Sequence, residues 1–262
     1  MKLSGIVILS GAVFIAACAS VSPANAPPPA PQPSVHPTQP VNVTTTLATP
    51  SPVPHSGAWK FTYAPGTYVY ALTTDATIAP LSDTTQKRQI PELSQQATLT
   101  MSAIGDLQIV DPVLGTSSAC DTASALITRA QQLIPKIPDH FAVGSHWRDS
   151  TTTSGCRGMI PATSQVISNY TVVGDTTFAN AAVVWIHRTD SLTANGEGAE
   201  GQHRIFMTAT GTGVADLFFN TTKGMFVGSS DLQNSIVNVT TSGRLTQFLQ
   251  HVKESVLLKG SR

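Results

Sequence analysis

The stretch AAVVWIHRTDSLTANGEGAEGQHRIFMTATGTGVADLFFN, residues 181–220, decides the fold. Its first part, 181–193, puts Val183 and Trp185 on one side of an extended chain and Val184, Ile186 and Leu192 on the other. Period two is the strand pattern. A Gly-rich loop over 194–200 follows, and 202–219 extends again, with Ile205 and Phe206, then Leu217 and Phe218, repeating the two-sided apolar signal. Two strands joined by so short a loop are antiparallel neighbours. Apolar residues on both sides require that both sheet faces be covered. In this register Asp190 falls opposite Arg204 and Ser191 opposite His203, while His187 and His203 share a face.

Outward from this hairpin the same reading recurs. Trp59, Phe61 and Tyr63 alternate, as do Tyr68, Tyr70 and Leu72 beyond the Pro65-Gly66 turn. Further strands are expected over 95–103, 106–110, 145–153, 163–173 and 225–239. Gly105-Asp106, Gly174-Asp175, Asn195-Gly196, Lys223-Gly224 and Ser242-Gly243 offer Gly where turns need positive φ. Gly211-Thr212-Gly213 offers a bulge or bend within a long strand. One segment has helical spacing: Ala123, Leu126, Ile127, Ala130, Leu133 and Ile134, with Asp121 as N-cap and Pro135 as its stop, predict a helix over 121–134. In 245–258, Leu245, Phe248, Leu249, Val252 and Val256 fit a helix face, but the preceding long run and Ser242-Gly243 suit a hairpin, and the reading leans to strand.

Composition narrows the function classes. Fifteen basic against fifteen acidic residues in 262 leave no field for phosphate backbones, so nucleic acid is not an expected partner. At 41% hydrophobic and 11% charged, polarity comes mainly from Thr and Ser, which favours strands and turns.

The N-terminus carries an address. Lys2 precedes an apolar run, Ile6 to Ala17, of export-signal anatomy. A helix of that length covers roughly 18 Å, short of the roughly 30 Å hydrocarbon core. The run ends Ile15-Ala16-Ala17-Cys18, and in these four positions the chain resembles bacterial lipoproteins, whose lipobox is an aliphatic residue, two small residues and Cys. The resemblance implies removal of a signal peptide over 1–17, diacylglyceryl transfer to the Cys18 thiol and stable anchoring by two or three acyl chains. An ordinary secretory signal is the plain alternative. Ala19, where Asp often marks inner-membrane retention, favours by the same resemblance the outer membrane of a diderm host, facing the periplasm.

Residues 18–57 then form the lipidated end and a tether, which holds eleven of the eighteen prolines and cannot form a core. Fully stretched, it spans roughly 120 Å. Residues 58–262 form a single β-rich domain. With Cys18 taken by lipid, Cys120 and Cys156 remain as an even pair in an exported chain, where a disulfide is expected. It would close about 36 residues and contribute roughly 3.8 kcal/mol by the loop-entropy account. Free thiols or a metal pair are the alternatives.

Chemistry is harder to find. Gly196-Glu197-Gly198-Ala199-Glu200-Gly201 matches G-x-G-x-x-G literally, yet a strand follows where a nucleotide site needs a helix, and Glu197 and Glu200 would repel a pyrophosphate. It reads as a hairpin loop. There is no G-x-S-x-G and no S-x-x-K. The His residues are scattered, with His36 and His55 in the tether and His140 and His146 flanking Ala142-Val143-Gly144. His187 and His203, with Ser191, form the best constellation, without a third metal ligand. No catalytic residue, metal site or cofactor is therefore assigned, and the Asn-x-Ser/Thr sequences at Asn42, Asn169, Asn220 and Asn238 read as chance.

The expected architecture is a long-stranded antiparallel meander, curled into a half-barrel, with one short helix. This layout, over roughly 58–260, resembles the half-barrel of lipoprotein-carrier and lipoglycolipid-carrier domains, and the resemblance implies an apolar concave side able to hold an acyl chain. The expected role is a lipid-anchored, non-catalytic binding or structural module, with an apolar ligand or an envelope protein as partner. The alternative is a hydrolase built from dispersed residues such as His187, Ser191 and His203.

Overall fold

The computed structural model describes residues 52, 53, 55, 57–111, 134–157, 160–200 and 202–261. These form β1 (Ala58–Lys60), β2 (Gly66–Pro80), β3 (Arg88–Met101), β4 (Leu107–Asp111), β5 (His140–Ala142) and β6 (His146–Arg157). The remaining elements are β7 (Ile160–Phe178), β8 (Ala181–Glu200), β9 (His203–Asn220), β10 (Met225–Thr241) and β11 (Arg244–Ser261). None of the described residues is helical. The expected helix over 121–134 lies outside them, apart from Ile134, which is buried.

One antiparallel sheet of nine strands runs β4-β3-β2-β11-β10-β9-β8-β7-β6 and curls into a half-barrel. The 245–258 segment is strand, as β11, and it pairs with β2. Strands of up to 20 residues accumulate right-handed twist. Register shifts at Thr74/Ala76, Val172/Gly174, Phe226/Gly228 and Leu258/Gly260 add bends.

Two turn expectations and one bulge expectation need correction. Gly174-Asp175 is a bulge within β7, and the turn falls at Ala179 and Asn180, with φ of 49° and 62°. Asn195-Gly196 lies inside β8, which continues to Glu200, where it faces His203 at the start of β9. Gly211-Thr212-Gly213 carries no bulge, for both its neighbours stay in register. Gly211 instead permits close approach, since a Cβ there would stand 2.8 Å from the Ser235 side chain. Ser242-Gly243 is a turn as expected, with φ of 50° and 78°.

The inner face of the sheet carries the main core. Tyr70, Leu99, Met101, Ile186, Leu217, Phe219 and Phe226 are buried there. They are covered by the extended segment holding Trp59, Phe61 and Tyr63, and by β5, which pairs with β1. Phe61 meets Phe219 edge-on at 5.7 Å and Tyr63 at 4.8 Å, the geometry that aromatic quadrupoles favour. On the outer face Val183, Phe218 and Val227 bury themselves under Phe178, Ala181 and Trp185. The two-sided apolar pattern of β8 and β9 is thus used at one end of the sheet.

Residues 53 and 55 pack against that same end. Val53 N–H donates to the Asp175 carbonyl at 2.7 Å, His55 Nδ1 stands 2.6 Å from Asp175 Oδ2, and the His55 ring stacks on Trp59 at 4.1 Å.

Candidate functional site

Along β8 the inward positions read Val184, Ile186, Arg188, Asp190, Leu192, Ala194, so two charges interrupt an apolar row. Room for them comes from β9, where Ala215 lies opposite Arg188 and Gly213 opposite Asp190. Arg188 Nε donates to Asp190 Oδ2 at 2.9 Å, and its Nη2 reaches Asp231 Oδ2 at 2.5 Å. Ser168 Oγ donates to Asp190 Oδ1 at 2.6 Å. Glu254 is the register partner of Asp231 and accepts from Thr74 Oγ1 at 3.0 Å. A polar row therefore crosses the inner face from β7 to β2, between the aromatic core and a second apolar cluster of Ile160, Ala194, Met207, Ala209 and Val237.

Burial pulls the Arg188 pKa down, but the Asp190 and Asp231 carboxylates outweigh it and hold it above its ordinary value. Burial raises the Tyr170 phenol beside it, against the pull of Arg188. Asp190 and Asp231 both meet the Arg188 guanidinium within the row, an arrangement that suits setting strand register better than chemistry. Its sequence signal was available: charges at inward positions of an otherwise apolar alternation.

The second feature is a groove of about 700 Å³ at the β8–β9 hairpin end, on the outer face. Ser154, Thr163, Asn195 and Thr208 line it, and they are consecutive register partners across β6, β7, β8 and β9. Antiparallel spacing sets them about 4.8 Å apart. The row continues through Asn238, which donates to Thr208 Oγ1 at 3.2 Å and accepts from Gln247 at 2.8 Å. One row further along stand Pro161, Glu197 and Phe206. Phe206 is 43% exposed, with the Arg204 guanidinium 5.1 Å over its ring and Arg204 paired to Glu197.

The residues singled out from sequence are not assembled into a relay. Asp190 lies opposite Gly213, and Arg204 opposite Ala199, so the expected Asp190–Arg204 pair does not form. Ser191 lies opposite Thr212. His187 pairs with Asp216 at 3.0 Å, at an oxygen that also accepts from Trp185 Nε1, whereas His203 bonds Ser242 Oγ at 2.8 Å. Roughly 40 Å of strand separates the two imidazoles. The cause is the longer hairpin: β8 runs on to Glu200, opposite His203, in place of ending before 194, and this shifts every partner along β9. His140 and His146 stand on β5 and β6, opposite Lys60 and Thr171. Among the described residues no group of three His, Cys, Asp or Glu could hold a metal, and no helix is long and apolar enough to cross a membrane. Cys18 and Cys120 lie outside the described residues, and the backbone of Cys156 stands in β6 opposite Pro161.

No family model matches this chain, and no curated protein does. Among solved structures, an outer membrane protein of Vibrio cholerae, a loop L8 deletion mutant of OmpT, is similar at 9% identity over 74% of this chain and 99% of that one. The TM-score is 0.17, too low to establish a shared fold.

Proposed function

We propose that the protein is a cell-envelope lipoprotein, acylated at Cys18 and tethered by its Pro-rich segment, whose β domain is a non-catalytic binding module with its ligand in the outer groove. One observation carries this reading: tether and groove lie at opposite ends of one sheet. Residues 53 and 55 dock on Asp175, which is opposite Val184, and Asn195 of the groove lies roughly 36 Å further along β8. Such a domain keeps its groove clear of the membrane end. An apolar ligand on the inner face would compete at the tether end with Trp59, Phe61 and Phe219, which already fill that side. Ala19 favours the outer membrane as the site of anchoring in a diderm host, and a Cys120–Cys156 disulfide belongs to the same proposal.

The test is metabolic labelling of the full chain with an alkyne analogue of palmitate, followed by fractionation and intact mass spectrometry. Labelled protein in the membrane fraction, and a soluble, unlabelled Cys18→Ser variant, are the expected outcome. An unlabelled wild-type chain overturns the proposal, as does a Cys18→Ser chain that stays with membranes. Alkylated without reduction, the wild type should take up no reagent at Cys120 or Cys156; two modified thiols remove the disulfide.

A further inference from the structure

We infer that the groove at the β8–β9 hairpin end takes a neutral glycan chain. This rests on the groove being the binding site of the module. Three observations lead to it. The lining is a register-aligned row of hydroxyl and carboxamide side chains, Ser154, Thr163, Asn195 and Thr208, all exposed. Each hydroxyl both donates and accepts, and the carboxamide offers both on one head, which is what sugar hydroxyls need from a partner. Phe206 adds one exposed aromatic ring beside the row, able to receive the apolar C–H face of a sugar ring while the row holds its hydroxyls. Arg204 covers part of that ring and is itself neutralised by Glu197, so the site carries no net charge to demand an ionic ligand.

Extended shape follows from the spacing. Side chains about 4.8 Å apart across four strands repeat along a line, and a linear polymer of hydroxyl-bearing rings can contact each in turn. A nucleic acid would need unpaired cations, and an acyl chain would leave the polar row unsolvated and unmatched. An extended peptide is the competing occupant, because Ser154 and Gly155 lie on the edge strand β6 and edge strands can accept a further strand.

The experiment is calorimetric titration of the full acylated protein, in detergent, with short cello-, chito- and manno-oligosaccharides. Saturable binding of at least one of them is expected, weakened about tenfold by Phe206→Ala and again by Asn195→Ala. Ile104→Ala, an exposed substitution in the connection between β3 and β4, should leave it unchanged, and unaltered melting temperatures in all three variants exclude misfolding as the cause. No saturable binding of any sugar, or binding that ignores both groove variants, overturns the inference. So does groove-dependent binding of an extended peptide in place of sugar. In those cases intact palmitate labelling at Cys18 leaves the lipoprotein reading standing, whereas its loss would strike that reading alone.

Discussion

A guanidinium at 3% exposure in the middle of a sheet face has to be neutralised where it sits, and Arg188 is met there by Asp190 and Asp231. Removing it leaves two buried carboxylates facing each other across an apolar surface. Breaking such a group by deleting one partner costs about 3–5 kcal/mol, even though the intact set adds little over hydrophobic residues of the same volume. Arg188→Met should therefore lower the unfolding free energy by about 3–5 kcal/mol in urea titrations. Adding Asp190→Asn and Asp231→Asn to that variant should recover a good part of the loss. A single Arg188→Met change costing under about 1 kcal/mol would show that the row is solvated rather than buried. The neighbouring small residues make the same point sterically: Gly213 stands against Asp190, where a Cβ would lie 3.4 Å from its side chain.

The elements explain what could be read in advance and what could not. Alternation in Trp59-Phe61-Tyr63 and in Tyr68-Tyr70-Leu72 is a local signal, so the extended character of both segments was legible. That the first should cover the inner face of the sheet was not, because no residue in it names its partner. The Gly-rich run 194–201 misled for a physical reason. Gly196 sits where a Cβ would approach the Pro161 carbonyl to 2.8 Å, so this glycine serves close strand packing and not a turn. The turn at Ala179-Asn180 carries a weaker sequence mark, β8 runs on to Glu200, and a misplaced loop shifted the whole register of β9, and with it the candidate site. Only the inward charges of β8 pointed to the polar row, and the groove appears only after strands are in register. If the 58–63 segment is structural cover, Phe61→Ala should cost about 3–5 kcal/mol, and a chain starting at residue 66 should fail to fold cooperatively. A chain that keeps 52–262 should melt within a few degrees of the full chain by circular dichroism. A cooperative transition without residues 52–65 would mean that the inner face is covered by something else.

Across the whole molecule, the chain's four tyrosines report on the integrity of one core. Tyr63, Tyr68, Tyr70 and Tyr170 are all buried, and burial raises every one of their pKa values above the ordinary 10. Proximity to Tyr70 and Tyr170 lifts Tyr63 further. The core they share lies across the pairing of β2 with β11, strands far apart in sequence, so it opens as a unit or not at all. A phenol with a raised native pKa binds its proton more tightly folded than unfolded. Its contribution to stability is complete below pH 10, the unfolded value, and is lost as pH rises from there through the raised native values. Alkaline titration of the native protein should therefore show no phenolate absorbance building smoothly around pH 10. The phenolate signal should instead appear at higher pH, in one step that coincides with loss of the strand signal in circular dichroism. In denaturant the same four groups should ionise together near 10. Four phenols titrating normally, with the strand signal intact, would mean that water already reaches the core beside the β2–β11 pairing.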